Sequence, residues 1–334
     1  MYARDFLLRL CLVSTIASRV PTAIADCDQG PLYRNVVYWG QNGGNAVENN
    51  DLSAYCTSAA GIDIIVLAFL YEYGNGITIP GGSIGQSCSI STSGEGAQCE
   101  ELAAAIKKCQ SNGVKIFISL GGSMGAYSLS SQQEAEIIGQ NLWNAYGNTV
   151  GNVSRPFGAA FVNGWDFDIE TSSGNQYYKY LIDKLRSNFA SDPGNEYFIS
   201  GAPQCPVPEP FMQDIITNAQ FDYVWVQFYN NPGCSVNGAI NYNAWRDNIA
   251  GTSSADAKIF IGVPASPDAA TGERSGAKYY LRPDALSQLV DQYRTDSAFG
   301  GTMLWSAGFS DKNHKSRCTY AQAAKNILTT GSPC

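Results

Sequence analysis

The 334-residue chain has a single histidine, His314. That nearly excludes a histidine-built metal centre, and a Ser/His/Asp triad would have to use this one residue. His314 sits in Asp311-Lys312-Asn313-His314-Lys315, polar throughout, and reads as a surface-loop residue. Charge is also scarce. Charged residues make up 15%, below a typical ~25%, which argues against disorder and against charged low-complexity tails. Basic residues are outnumbered and the net charge is -8, so neither nucleic acid nor an anionic membrane surface is an expected partner. Long apolar runs are missing. Leu10 to Ala17 is too short to span a bilayer, no other stretch comes nearer, and the polar tail Ile327 to Cys334 gives no lipid-anchor signal. A dinucleotide loop is missing as well: Trp39-Gly40-Gln41-Asn42-Gly43-Gly44-Asn45 lacks the G-x-G-x-x-G spacing.

What is present begins with a leader pattern. Arg4 and Arg9 precede a short apolar run that ends at Ala23-Ile24-Ala25, the form of a signal-peptidase site. Residues 1–25 are therefore expected to be a cleaved signal, although Asp5 and Arg19 are blemishes and a frayed apolar segment is the alternative. Ten cysteines fit an oxidising compartment, and Cys11 would leave with the signal, so an odd nine remain. Asn152-Val153-Ser154 is an N-glycosylation acceptor. The expectation is a secreted, extracellular monomer, free or associated with a cell wall.

Beyond the leader, apolar β-branched runs alternate with helical patterns. Strands are predicted at Val36–Trp39, Ile62–Phe69, Val114–Leu120, Gly164–Ile169, Tyr197–Gly201, Tyr223–Phe228, Lys258–Val263 and Thr302–Trp305. Helices are predicted at 100–111, 131–146, 175–188, 209–218, 243–250, 283–295 and 320–328, with Pro283 well placed in a first turn. This rhythm predicts an α/β fold, a single (β/α)8 barrel over residues 26–334, with an open doubly wound sheet as the alternative. Gly81–Gly96, rich in Ser, Gly and Gln, reads as a long loop closed by Cys88 and Cys99.

The most informative segment is Gly164-Trp165-Asp166-Phe167-Asp168-Ile169-Glu170. Alternate residues of a strand share a face, so the three acids align on one side and the apolar residues on the other. Burying three acids inside a barrel is costly for stability. It is useful for chemistry, because packed carboxyls raise one another's pKa until one can serve as a general acid near neutral pH. A solvated edge strand and a divalent-metal site are the competing readings; the row suits one ion poorly, and no metal or cofactor is expected.

This segment resembles the D-G-x-D-x-D-x-E signature of glycoside hydrolase family 18, the chitinases, with Asn163 in place of the first Asp. Asn35-Val36-Val37-Tyr38-Trp39-Gly40-Gln41-Asn42, Ser119-Leu120-Gly121-Gly122-Ser123, Gly201-Ala202-Pro203-Gln204-Cys205-Pro206 and Val226-Gln227-Phe228-Tyr229-Asn230-Asn231-Pro232 resemble further strand motifs of its hevamine-like, class III plant and fungal branch. The resemblance implies an endo-acting chitinase that hydrolyses β-1,4-linked N-acetylglucosamine with retention, the substrate's acetamido oxygen acting as nucleophile. Chitin and chito-oligosaccharides are the implied partners. Glu170 would be the acid and base, Asp168 would orient the acetamido group, Asp166 would share a proton with Asp168, and Tyr229 would hold the acetamido oxygen. Gln227 would contact the same sugar, Trp305 would form its floor, and Tyr38 and Phe69 would complete the pocket. Read from the residues alone, Tyr38 and Phe69 suit a core better than a pocket, Tyr229 and Trp305 could equally be core, and Gln204 and Asn230 suit either a site or a loop. The resemblance also implies the pairs Cys56–Cys109, Cys88–Cys99 and Cys205–Cys234, leaving Cys27, Cys318 and Cys334 open. Only some twenty residues separate Val263 from Pro283, too few for the α+β insertion of bacterial-type chitinases, which implies an open groove. A non-catalytic carbohydrate-binding or inhibitor protein on the same barrel is the alternative within the family, and a metal-dependent hydrolase the alternative outside it.

Overall fold

The computed structural model describes residues 33–43, 45–149, 151–314 and 317–334. The expected leader and Cys27 lie outside the described residues. Eight parallel strands form a closed barrel: β1 Arg34–Trp39, β2 Ile64–Gly74, β3 Lys115–Gly122, β4 Gly164–Ile169, β5 Phe198–Gly201, β6 Tyr223–Gln227, β7 Lys258–Pro264 and β8 Phe299–Trp305. Each pairs with the next, and β1 also pairs with β8, which closes the ring. Around it run α1 Glu100–Ser111, α2 Gln132–Tyr146, α3 Tyr178–Phe189, α4 Gln213–Asn218, α5 Tyr242–Ile249, α6 Pro283–Tyr293, α7 Ala307–Lys312 and α8 Tyr320–Thr330. Among the described residues, no helix is long and apolar enough to cross a membrane.

Local chemistry explains the helix ends. The Ser131 hydroxyl accepts the Glu134 N–H and starts α2; Thr319 and Gln322 cap α8 reciprocally. Pro283 opens α6 as predicted. Helix α4 begins at Gln213 rather than Glu209. Pro208 and Pro210 do not favour earlier helix, and the Glu209 carboxylate instead takes the N–H groups of Phe211 and Met212 in a turn. Helix α7 was not predicted, and its end takes in Asp311 and Lys312 of the expected polar loop; it is short and begins Ala-Gly-Phe, too little for a periodic signal. His314 is exposed.

The segment 81–96 is not a long loop. Ile77–Ile84 runs antiparallel to an extension of β2, and Cys88–Ile90 and Gly96–Ala97 add to the ribbon. Small residues are needed here for close packing: a Cβ on Gly82 would stand 2.1 Å from the Phe69 carbonyl oxygen. Composition that looks loop-like is thus the mark of close backbone approach. The bridges Cys56–Cys109, Cys88–Cys99 and Cys205–Cys234 are present, and Cys318 joins Cys334.

The alternation of β4 sets the rest. Trp165, with no exposed surface, packs outward against Trp143 of α2 and Phe189 of α3 at ring distances of 5.8 and 5.5 Å. The lower interior of the barrel is an apolar plug that includes Phe117, Tyr223, Trp225 and Phe260. Each such side chain contributes ~1.5–3 kcal/mol when fully buried, which helps offset the cost of the acids above it.

Candidate active site

Asp166 lies directly above the plug and is fully buried. Strand register places Ser119 of β3 and Ser200 of β5 on either side of it. Their hydroxyls donate to its carboxylate at 2.6 and 2.8 Å, and Tyr38 donates at 2.7 Å from β1. Trp225 Nε1 in turn donates to the Tyr38 hydroxyl at 3.0 Å. Tyr38 therefore supports Asp166 from beneath the pocket and does not form its wall. Burial pushes the Asp166 carboxyl up to about 6, against the pull of these donors.

One layer higher, Asp168 is level with Gly121 of β3. Gly121 has φ +107°, and a Cβ there would meet the Asp168 carbonyl oxygen at 2.2 Å, so the neighbouring strand can pass only as glycine. Gln227 Nε2 donates to Asp168 Oδ1 at 3.0 Å and to the Ala202 carbonyl at 2.8 Å. Burial, then the charges of Glu170, Asp166 and Glu209, hold the Asp168 proton well above the usual carboxylate range. Glu170 is last, half-buried where the strand ends, and its N–H donates to the Tyr127 hydroxyl at 2.9 Å. Burial and then Glu209 raise its pKa too.

Above these acids opens a cavity of about 350 Å³. Asp168, Glu170, Gln227, Tyr229, Asn230, Phe69 and Trp305 all line it, together with residues from the loops after β1, β3 and β7. Among its described lining there is no lysine or arginine. Trp305 stacks on Phe69 at a ring distance of 6.1 Å and meets Tyr38 at 5.6 Å. Burial keeps the Tyr229 phenol neutral, a donor. Asn230 is exposed, its amide donating to the Ala270 carbonyl at 2.7 Å. Gln204 is outside the lining and accepts from Asn231 at 2.9 Å. Asn152 lies apart from the site and is exposed.

Sequence reasoning gave no role to Gln41, Asn42 or Ser123 in the lining, nor to Ser119 and Ser200 under Asp166, nor to Tyr127 and Glu209. The two serines did carry a signal: each follows a phenylalanine, Phe117 or Phe198, on the inward face of an otherwise apolar strand. Among the described residues, no group of three or more His, Cys, Asp and Glu is arranged to hold a metal ion.

Glu48, on the loop after β1, is a further buried acid. Its carboxylate accepts the Gly40 N–H at 2.7 Å, and burial pushes it up to about 8. These raised values have one sign for stability. A carboxyl whose folded pKa exceeds its unfolded value stabilises the fold in its protonated form, and that contribution is lost as pH rises through the folded pKa. Asp166 loses it through about 6 and Glu48 through about 8. The expected result is a Tm that falls between about pH 5 and about pH 8, with Glu48→Gln flattening the upper part. Thermal scans across that range check it; a flat wild-type Tm would contradict it.

A parallel barrel whose mouth sets a row of raised-pKa carboxyls beneath a cavity lined in part by aromatic rings has the parts of a carboxylate-dependent glycosidase. The comparison with known proteins is more specific. The chain belongs to the glycosyl hydrolases family 18, whose model matches residues 34–287. It is 61% identical over 317 residues to Endochitinase 2 of Metarhizium robertsii, covering 92% of this chain and 75% of that protein. Among solved structures it resembles the ICChI chitinase of Ipomoea carnea, with a TM-score of 0.71, 33% identity and coverage of 88% and 98%. It also resembles the xylanase and alpha-amylase inhibitor protein XAIP-II of Scadoxus multiflorus, with a TM-score of 0.67, 32% identity and coverage of 89% and 98%. The hevamine-like resemblance and the barrel prediction are both borne out.

Proposed function

We propose that the protein is a secreted chitinase that cuts β-1,4-linked N-acetylglucosamine chains internally and with retention. The observation that carries this reading is the inward ladder of Asp166, Asp168 and Glu170, rising from full burial to a cavity where Tyr229, Gln227 and Trp305 converge. Glu170 protonates the glycosidic oxygen and later deprotonates the incoming water. Asp168 orients the acetamido N–H and balances the positive charge as the acetamido oxygen closes on the anomeric carbon and the protonated leaving sugar departs, giving an oxazolinium ion. Asp166, held by three hydroxyls, shares the proton that two such close acids cannot both lose. Tyr229 donates to the acetamido oxygen, and Trp305 packs beneath the sugar.

The likeness to XAIP-II favours a second reading, an inhibitor or binding protein on this barrel, since a fold does not determine a function. The intact ladder open to the cavity supports catalysis instead. The test is digestion of the N-acetylglucosamine hexamer followed by NMR. Dimer to tetramer products released first as the β-anomer are expected. Release of monomer alone, α-anomer first, or no cleavage would each overturn the reading.

A further inference from the structure

Tyr127 is a buried phenol that the mechanism above does not use, and it is not among the described lining of the cavity. The pairing of β3 with β4 runs as far as Gly122 and Ile169, so Glu170 stands one residue beyond the last rung. The Tyr127 hydroxyl spans that gap. It accepts the Glu170 N–H at 2.9 Å and donates to the Gly122 carbonyl at 2.7 Å. One oxygen thus ties the end of β4 to the end of β3 at the backbone of the proposed acid.

The ring that carries this oxygen is held in turn. Ala126 and Tyr127 pair with Glu72 and Tyr73 on the extension of β2, and the Ser128 N–H donates to the Tyr73 carbonyl at 3.2 Å. Tyr127 stacks on Tyr73, with ring centroids 5.4 Å apart and planes 20° from parallel. The Tyr73 hydroxyl shares a hydrogen bond of 2.9 Å with that of Tyr178, the first residue of α3. The β2 extension therefore fixes Tyr127, and Tyr127 fixes the backbone of Glu170. We propose that Tyr127 is a positioning residue whose hydroxyl sets where the Glu170 carboxyl meets the glycosidic oxygen.

Asp166 and Asp168 are gripped by hydrogen bonds to their carboxylates, whereas Glu170 is half-buried at the open end of its strand. Where its carboxyl stands follows from where its backbone is held. A general acid works only within hydrogen-bond reach of the atom it protonates, and a shift of about 1 Å can cost about 100-fold. That cost falls on the leaving group. A sugar oxygen needs the proton as its bond to the anomeric carbon breaks, whereas a nitrophenolate is stable enough to depart with little help. A hydroxyl that merely stabilised the fold would slow both alike.

The inference rests on Glu170 being the general acid. The test is kcat/KM of the wild type, Tyr127→Phe, Tyr73→Phe and Glu170→Gln on two substrates, the N-acetylglucosamine tetramer and the 4-nitrophenyl glycoside of the dimer, with Tm measured alongside. Tyr127→Phe keeps the ring and its stack and removes only the oxygen. It should lose about tenfold or more on the tetramer and less than about threefold on the nitrophenyl glycoside. Tyr73→Phe removes a buried hydroxyl from the same stack without touching Glu170, and whatever it costs in Tm should come with no such split. Equal losses on both substrates in Tyr127→Phe, or none on either, would overturn the inference. So would rapid hydrogen exchange of the Glu170 amide in the folded wild type, a measurement that needs no variant to fold. Glu170→Gln separates the two claims. If it shows the split and Tyr127→Phe does not, this inference fails alone; if it shows no split, the reading of Glu170 falls and takes this inference with it.

Discussion

Glu170→Gln is expected to lower kcat by about 10²–10⁴-fold or more while leaving oligosaccharide affinity within about threefold. The substitution is nearly isosteric. The strand end is held through the backbone, by the Glu170 N–H on the Tyr127 hydroxyl, so it should not shift. What is lost is the proton that leaves with the glycosidic oxygen, a group that matters only on the way to the transition state. On the proposed reading binding depends instead on Trp305, Tyr229 and Gln227, which line the same cavity and remain. Steady-state rates with calorimetric binding would check both halves. A loss of affinity equal to the loss of rate would assign Glu170 to binding, and near-normal turnover would remove it from the chemistry.

Asp168→Asn should cost about 10²–10³-fold in kcat. Its oxygen already takes a Gln227 hydrogen bond, so the shape of the layer survives. The amide cannot become anionic as positive charge builds on the acetamido group. The same change should raise Tm near neutral pH, because it removes an acid whose ionised form is disfavoured by burial and by three neighbouring acids. A variant that gains stability as it loses rate would show the ladder to be a functional strain on the fold. A variant that loses both would instead show Asp168 to be a packing residue.

Both expectations grow from features that were legible in the sequence to different degrees. The β4 ladder was readable because strand alternation is a rigid rule, and Gly164–Ile169 has the predicted boundaries. Tyr229 and Trp305 came only with the family resemblance, because an aromatic at a strand end suits a packed core as well as a pocket. The ribbon after β2 was hidden: the small residues its close packing requires look like those of a loop. Tyr38 was placed in the pocket because it ends a strand, yet it turns inward one layer lower, where its hydroxyl reaches Asp166. Glu209 could not be found by spacing at all. It sits in an irregular turn, and Asn175, which belongs to neither element, ties that turn to the Thr171 carbonyl after β4.

The central claim is tested most directly by a crystal of Glu170→Gln soaked with the N-acetylglucosamine hexamer. The account predicts a chain lying across the barrel mouth, one sugar over Trp305, its acetamido group folded beneath the anomeric carbon towards Asp168 and Tyr229, and the scissile oxygen beside residue 170. An acetamido group turned out to solvent, or a chain bound away from the acids, would contradict it.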